Sequence, residues 1–168
     1  AVGFYREQNN SFGFFYNSST LTSYYINIEG INKAKGIETE LTYSVKNSIK
    51  IGGNYTFTQV DEALKRLIPK HKANLFLDID ITKRLFLNAN YQYVDDRDDA
   101  FYDGNTYTII QTILGSYQLV NASMKYELIK SRLNIFGAIT NILNEDFLEN
   151  AGYSARGINF RLGLNINL

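Results

Sequence analysis

The dominant pattern along the chain is an alternation of apolar and polar positions with a period of two. In "IKIGGNYTFTQ", Ile49, Ile51, Gly53, Tyr55 and Phe57 share one face, while Lys50, Gly52, Asn54, Thr56 and Thr58 share the other. "GIETELTYSV" sets Ile37, Thr39, Leu41, Tyr43 and Val45 against Glu38, Glu40, Thr42 and Ser44. "ANLFLDIDI", "LFLNANYQY", "VNASMKYEL" and "RLNIFGAI" repeat the arrangement. Their apolar faces carry Leu75 and Leu77, Leu85 and Leu87, Val120 and Met124, and Leu133 and Ile135. In "RLGLNINL", Leu162, Leu164, Ile166 and Leu168 alternate with Arg161, Gly163, Asn165 and Asn167. This strand is expected from about 155 to 168 and the first strand from about 2 to 15.

The connections alternate in length. Short polar turns sit at "KNS", "TKR" and "IKSR". Longer links are expected at about 16–23, 61–71, 95–106 and 144–154. "DEALKRLI" could form a helical turn that Pro69 stops. The chain therefore reads as all-β: about eight antiparallel strands in a single unit, with short turns at one end and long loops at the other.

Alternation alone leaves open which solvent meets the apolar face. A soluble sandwich or lipocalin-like barrel buries it, whereas a membrane barrel turns it to lipid. Three features favour lipid. The opposite face is rich in Asn, Ser, Thr, Asp and Glu, as a wet or plugged lumen requires. The strands reach the roughly 9–11 residues that a tilted strand needs to cross hydrocarbon. Aromatic residues gather towards the strand ends: Tyr55, Phe57, Tyr91, Tyr93, Tyr117, Phe147, Tyr153 and Phe160 at the long-loop end, Tyr43 and Tyr126 at the other. Aromatic girdles at both interfaces mark outer-membrane barrels, because amphipathic rings settle at the headgroups.

Composition narrows the function. The 168 residues carry zero formal net charge, so no basic footprint points to nucleic acid. With no cysteine, thiol catalysis and Cys-based zinc sites are excluded. No run approaches the roughly 18 apolar residues of a membrane helix. The chain opens on "AVGFYREQ", which already reads as strand, with no signal peptide before it, so it is expected to be a piece of something longer.

Several stretches together resemble the C-terminal barrel of TonB-dependent outer-membrane receptors. They are "YYINIEGINKAKGIETELTY" with Asn27, Gly36 and Glu38, "NYTFTQ" followed by "RLIPKHKANL", and "YQYVDDRDD". "GSYQLVNASMKYEL" and "FGAITNILNEDFLENAGYSARGINFRLGLNINL" continue the order, the latter with Asn141, Asn144, Phe147, Gly152, Tyr153 and Gly157. The siderophore and vitamin B12 (cobalamin) branch is the nearest likeness. The resemblance implies an antiparallel transmembrane β-barrel of about 22 strands with a plug inside, of which residues 1–168 would supply roughly the last eight strands. It implies a bacterial outer-membrane location and import of a metal chelate or cofactor, siderophore-iron or cobalamin. The partners it implies are outer-membrane lipid, the plug and remaining strands, the TonB complex through a missing N-terminal part, the barrel assembly machinery and a small-molecule ligand. The plug and TonB-binding segment are not in this sequence. Arg161, Gly163, Ile166 and Leu168 resemble the C-terminal signal that the assembly machinery reads, although the usual last residue is aromatic. Two alternatives stand beside this reading: a self-contained eight-stranded membrane barrel serving as anchor or adhesin, and a soluble ligand-binding barrel.

No catalytic constellation stands out, so an enzyme is not expected, and no cofactor is assigned. Asp95, Asp96, Asp98 and Asp99 form a carboxylate cluster that could hold calcium, although EF-hand spacing and its glycine are missing. The bland reading is a solvated loop with Arg97 as counter-ion. His71, between Lys70 and Lys72, reads as a surface loop residue, and Glu38 and Glu40 as lumen carboxylates. Tyr102, Asp103, Asn105, Asn150, Tyr153 and Arg156 are the candidate ligand contacts, since aromatic and amide groups on outer loops could orient a chelate or corrin.

Overall fold

The structure is a computed structural model that describes residues 1–17, 20–61 and 65–167, with the backbone alone at 11, 14 and 16. In chain order the strands are β1 (Val2–Asn17), β2 (Thr22–Lys46), β3 (Ile49–Val60), β4 (His71–Thr82), β5 (Leu85–Val94) and β6 (Arg97–Asp103). They continue with β7 (Thr108–Leu114), β8 (Tyr117–Ile129), β9 (Leu133–Thr140), β10 (Leu148–Asn150), β11 (Tyr153–Ser154) and β12 (Asn159–Ile166). One antiparallel eight-stranded sheet has the order β1-β2-β3-β4-β5-β8-β9-β12. The pairs β6-β7 and β10-β11 are separate hairpins on its long-loop end. Among the described residues no pairing joins β1 to β12, so the sheet is an open wall with two edges.

Two boundaries differ from the sequence reading. The link expected at about 95–106 is instead the hairpin β6-β7, paired from Arg97↔Leu114 to Asp103↔Thr108. The acidic run hides the strand, but "TIIQTIL" opposite it is rich in β-branched residues that suit a pleated surface. The last strand starts at Asn159 rather than near 155, and Leu168 lies outside the described residues. The helical turn expected in "DEALKRLI" falls partly on 62–64, also outside them.

The register aligns the apolar rows across the wall. Leu41, Gly53, Leu75, Tyr91 and Val120 are successive cross-strand partners on one face. So are Tyr43, Ile51, Leu77, Ala89, Ala122, Ile139 and Phe160. These rows meet no protein layer: Leu41 is 74% exposed and Phe160 68%. Among the described residues the buried apolar side chains are only Ala34, Val94, Leu114 and Tyr117. An apolar surface this extensive, with no core behind it, is what a hydrocarbon-facing wall presents.

The opposite, lumenal face is stitched by amides. Asn74 Nδ2 donates to Asn54 Oδ1 at 2.8 Å, Asn88 Nδ2 to Asp78 Oδ1 at 2.7 Å, and Asn121 Nδ2 to Asn90 Oδ1 at 2.8 Å. Phenylalanine also occurs on this face, for a different reason. Phe4, Phe76 and Phe136 each sit directly opposite a glycine on the adjacent strand: Gly36, Gly52 and Gly163. A Cβ built on any of the three glycines would strike the phenylalanine ring. Each ring thus lies across its glycine and screens the bare backbone, an aromatic cover for a residue that otherwise weakens a strand. Asn88→Ala removes one of the amide pairs from a wet face. Its expected cost is about 1 kcal/mol, measured by urea unfolding of the full-length protein in lipid; a several-fold larger loss would mean that Asn88 sits in a dry environment.

β2 is longer than any membrane crossing requires. Its 25 residues span about 80 Å at strand rise. Only the part from Ala34 onward pairs with β3. Asp61 ends that pairing: its N–H donates to Lys33 O at 3.0 Å and its carboxylate accepts from Lys33 N at 2.7 Å. Beyond this cap, β1 and β2 continue together as a two-stranded ribbon that projects from the long-loop end.

Candidate functional site at the outer loops

The long loops are held by a few buried polar side chains. Asn141 closes the first turn after β9 with a left-handed φ of 52°, a conformation that asparagine tolerates better than most residues. Its N–H donates to Asn121 Oδ1 at 2.8 Å, which joins it to the lumenal amide row. Its Oδ1 accepts from Glu145 N at 2.8 Å, while Nδ2 donates to the carbonyls of Glu145 at 2.9 Å and Arg156 at 3.2 Å. One amide, 4% exposed, therefore ties both ends of the 142–156 excursion. Asn144 Oδ1 accepts from Ile158 N at 3.0 Å and secures the re-entry into β12.

Arg97 and Asp99 lie two residues apart on β6 and act on the same neighbouring hairpin. Arg97 Nη2 donates to Leu148 O at 2.7 Å. Its guanidinium sits over the Tyr117 ring at 5.1 Å, and Tyr117 packs on Phe147 with ring centroids 4.5 Å apart. The buried Arg97 Nε finds no partner among the described residues. Asp99, 2% exposed, accepts from Ala151 N at 2.7 Å, Arg66 Nε at 2.8 Å and Ala100 N at 2.8 Å. Arg66 also donates to Ala100 O at 3.2 Å. The Ala151 hydrogen bond, aided by Arg66 and Ala100 and opposed by burial, holds the Asp99 carboxyl below its ordinary range. A depressed folded value means that its stabilisation is complete above about pH 4, the unfolded carboxylate value. That stabilisation is lost as pH falls through the folded value. Proteolysis between residues 142 and 158 is accordingly expected to accelerate only at strongly acidic pH; acceleration beginning near neutrality would rule Asp99 out as the responsible group.

Beside this cluster is a cleft of about 860 Å³ whose lining includes Asp61, Lys65, Lys70, His71, Asp95, Asp96 and Asp98. Charges of both signs converge there from the β3–β4 loop and the start of β6. His71 is also fastened to the outward face, its Nδ1 2.7 Å from Tyr55 Oη. Sequence reasoning missed the cleft because its two sides lie some 25–35 residues apart in the chain.

These loops crown a wall whose match is specific. A family model described as TonB dependent receptor-like, beta-barrel, matches residues 1–142. The chain belongs to this family. The pyoverdine outer-membrane receptor FpvA from Pseudomonas aeruginosa PAO1, bound to pyoverdine, superposes with a TM-score of 0.76 at 14% identity, covering 99% of this chain and 26% of that one. The ferric-catecholate import receptor Fiu from E. coli, in its closed form, gives 0.72 at 17% identity, with 96% and 24% covered. The siderophore receptor PiuA from Acinetobacter baumannii gives 0.71 at 19% identity, with 96% and 25% covered. The chain thus spans about a quarter of the length of these structures. No curated protein matches it. The family is one of receptors, and its barrels lie in the bacterial outer membrane, in agreement with the lipid-facing rows.

Within this TonB-dependent receptor wall, the candidate ligand contacts divide between two hairpins. Tyr102, Asp103 and Asn105 lie at the tip of β6-β7, where Tyr102 is exposed and Asp103 builds the turn. The Asp103 carboxylate accepts from Asn105 N at 3.0 Å and Thr106 Oγ1 at 2.8 Å, and these bonds hold its carboxyl below the ordinary range. Asn150 and Tyr153 pair across the β10-β11 turn, with Tyr153 exposed, and Arg156 follows. The two hairpins meet at the Arg97–Asp99 end rather than at the β6-β7 tip.

Asp95, Asp96 and Asp98 line the cleft beside Lys65 and Lys70, whereas Asp99 is turned away from them into the loop cluster. Asp95 accepts from Tyr93 Oη at 3.1 Å, Asp98 lies 4.0 Å from Lys65 Nζ, and Asp99 is committed to the loop cluster. Among the described residues no group of three or more His, Asp or Glu side chains is arranged to hold a metal ion. Tyr117 and Phe147 leave the expected aromatic belt. Tyr117 is opposite Val94 and 5% exposed, packed among the loops instead of at lipid. In β12, Arg161 and Gly163 share the lumenal face, opposite Ala138 and Phe136, while Ile166 is on the lipid face opposite Leu133.

Proposed function

We propose that residues 1–168 form the closing wall of a TonB-dependent outer-membrane receptor that imports a ferric siderophore. The family match over residues 1–142 carries the reading. The siderophore receptors that share its fold, and an outer surface built from hairpins over a polar lumenal wall, support it. In this proposal β1 and β12 each pair with barrel strands outside the present sequence, because an unpaired edge in hydrocarbon leaves backbone groups unsatisfied at several kcal/mol each. A plug domain fills the lumen against the amide-rich face. The TonB complex engages through the N-terminal part, and β12 serves as the strand that the barrel assembly machinery reads. Tyr102, Asp103, Asn105, Asn150, Tyr153 and Arg156 contact the chelate.

Cells carrying the full-length receptor, with and without TonB, test this with radio-iron-loaded pyoverdine, a ferric catecholate and labelled cobalamin. Accumulation of a ferric chelate that requires TonB is expected. Iron uptake that persists without TonB would overturn the energy-coupled reading, and uptake of cobalamin alone would overturn the siderophore assignment.

A further inference from the structure

The outer hairpins that carry the candidate contacts could in principle move independently, since each is a short two-stranded unit of marginal stability by itself. The structure shows them joined around one carboxylate, with the Leu67 N–H donating to the Asp98 carbonyl at 2.8 Å beside it. Asp99 takes its three hydrogen bonds from three segments: Arg66 in the β3–β4 loop, Ala100 in its own hairpin, and Ala151 in the β10-β11 turn. Arg97, two residues before it on the same strand, donates to the carbonyl of Leu148 on β10, the strand that leads into that turn. The short β10-β11 hairpin is thereby gripped by one donor and one acceptor from β6. Gly152, next to Ala151, has a φ of 84° and supplies the left-handed residue that this turn needs. A buried carboxylate in this position is costly unless its partners are all in place, so each of the three segments stabilises the arrangement of the other two.

We propose that Asp99 is a positioning residue of the receptor's ligand surface: it locks the β3–β4 loop, the β6-β7 hairpin and the β10-β11 hairpin into one body. The consequence is that Tyr102, Asp103 and Asn105 on one hairpin and Asn150 and Tyr153 on the other keep a fixed relation before ligand arrives. Preorganised contacts bind more tightly because the ordering cost is met during folding. Asp99 does not touch the ligand itself, since its oxygens are occupied within the loops. This inference rests on the receptor reading above.

Hydrogen exchange of the full-length receptor in lipid, wild type against Asp99→Ala and Asp99→Asn, tests it together with binding of ferric pyoverdine and of a ferric catecholate. Exchange in peptides covering 147–155 and 65–70 is expected to rise together, at least tenfold in Asp99→Ala and less in Asp99→Asn, with β4 and β5 peptides unchanged. Affinity is expected to fall about tenfold in Asp99→Ala. Unchanged loop exchange, or a rise confined to β6-β7, overturns the lock. Loosened loops with unchanged affinity overturn the positioning role. Absence of ferric-chelate binding by the wild type instead overturns the receptor reading, whatever the loops do.

Discussion

Leu77→Arg is expected to destabilise the full-length receptor by about 2–4 kcal/mol, the cost of a cationic side chain near the bilayer midplane of a transmembrane barrel. Leu77 is central in β4, between Ile51 on β3 and Ala89 on β5 in register, with Leu75 and Ile79 on the same face. The side chain cannot turn to the lumen without slipping the strand by one residue, which would reverse every other side chain of β4. Such a slip would also break the Asn74–Asn54 and Asn88–Asp78 pairs. Folding into lipid vesicles, followed by urea titration, measures the loss. A variant as stable as wild type would mean that this row does not meet hydrocarbon, and the outer-membrane assignment would fall with it.

Asn141→Ala is expected to cost at least about 4 kcal/mol, concentrated in the loops rather than the wall. The substitution removes an acceptor for Glu145 N and donors for the Glu145 and Arg156 carbonyls, and each buried group left unpaired costs about 1–3 kcal/mol. It also puts alanine at a left-handed φ, which adds roughly 1–2 kcal/mol. Asn141→Gly separates the two contributions, because glycine accepts the φ but restores none of the bonds. Hydrogen exchange over 142–158 should accelerate strongly in both variants, more in the alanine one. Equal protection in Asn141→Gly and wild type would show that backbone conformation, not the amide, holds the excursion.

Much of the wall was legible in the sequence. The alternation in "GIETELTYSV" and "IKIGGNYTFTQ" predicts which residues share a face, and the register matches that division partner by partner. The short turns at 47–48 and 83–84 were legible for the same reason. Phe76 and Phe136, which break the polar face, were not explicable from spacing. Their reason is a glycine on another strand, 24 residues away for Phe76 and 27 for Phe136.

The site was much less legible than the wall. Asp99 read as one of four equivalent aspartates, yet only it is turned into the loops, because Ala151 and Arg66 arrive from distant parts of the chain. Tyr117 read as a girdle aromatic by its place near a strand end, but its face puts it under Arg97 and against Phe147. By itself the sequence determined the strands of the eight-stranded wall and the division of each into two faces, since a strand's period is a local property of the backbone. Tertiary structure alone decided which loop residues are buried, paired or free, since those states depend on donors and acceptors that only long-range strand pairing brings within hydrogen-bond reach.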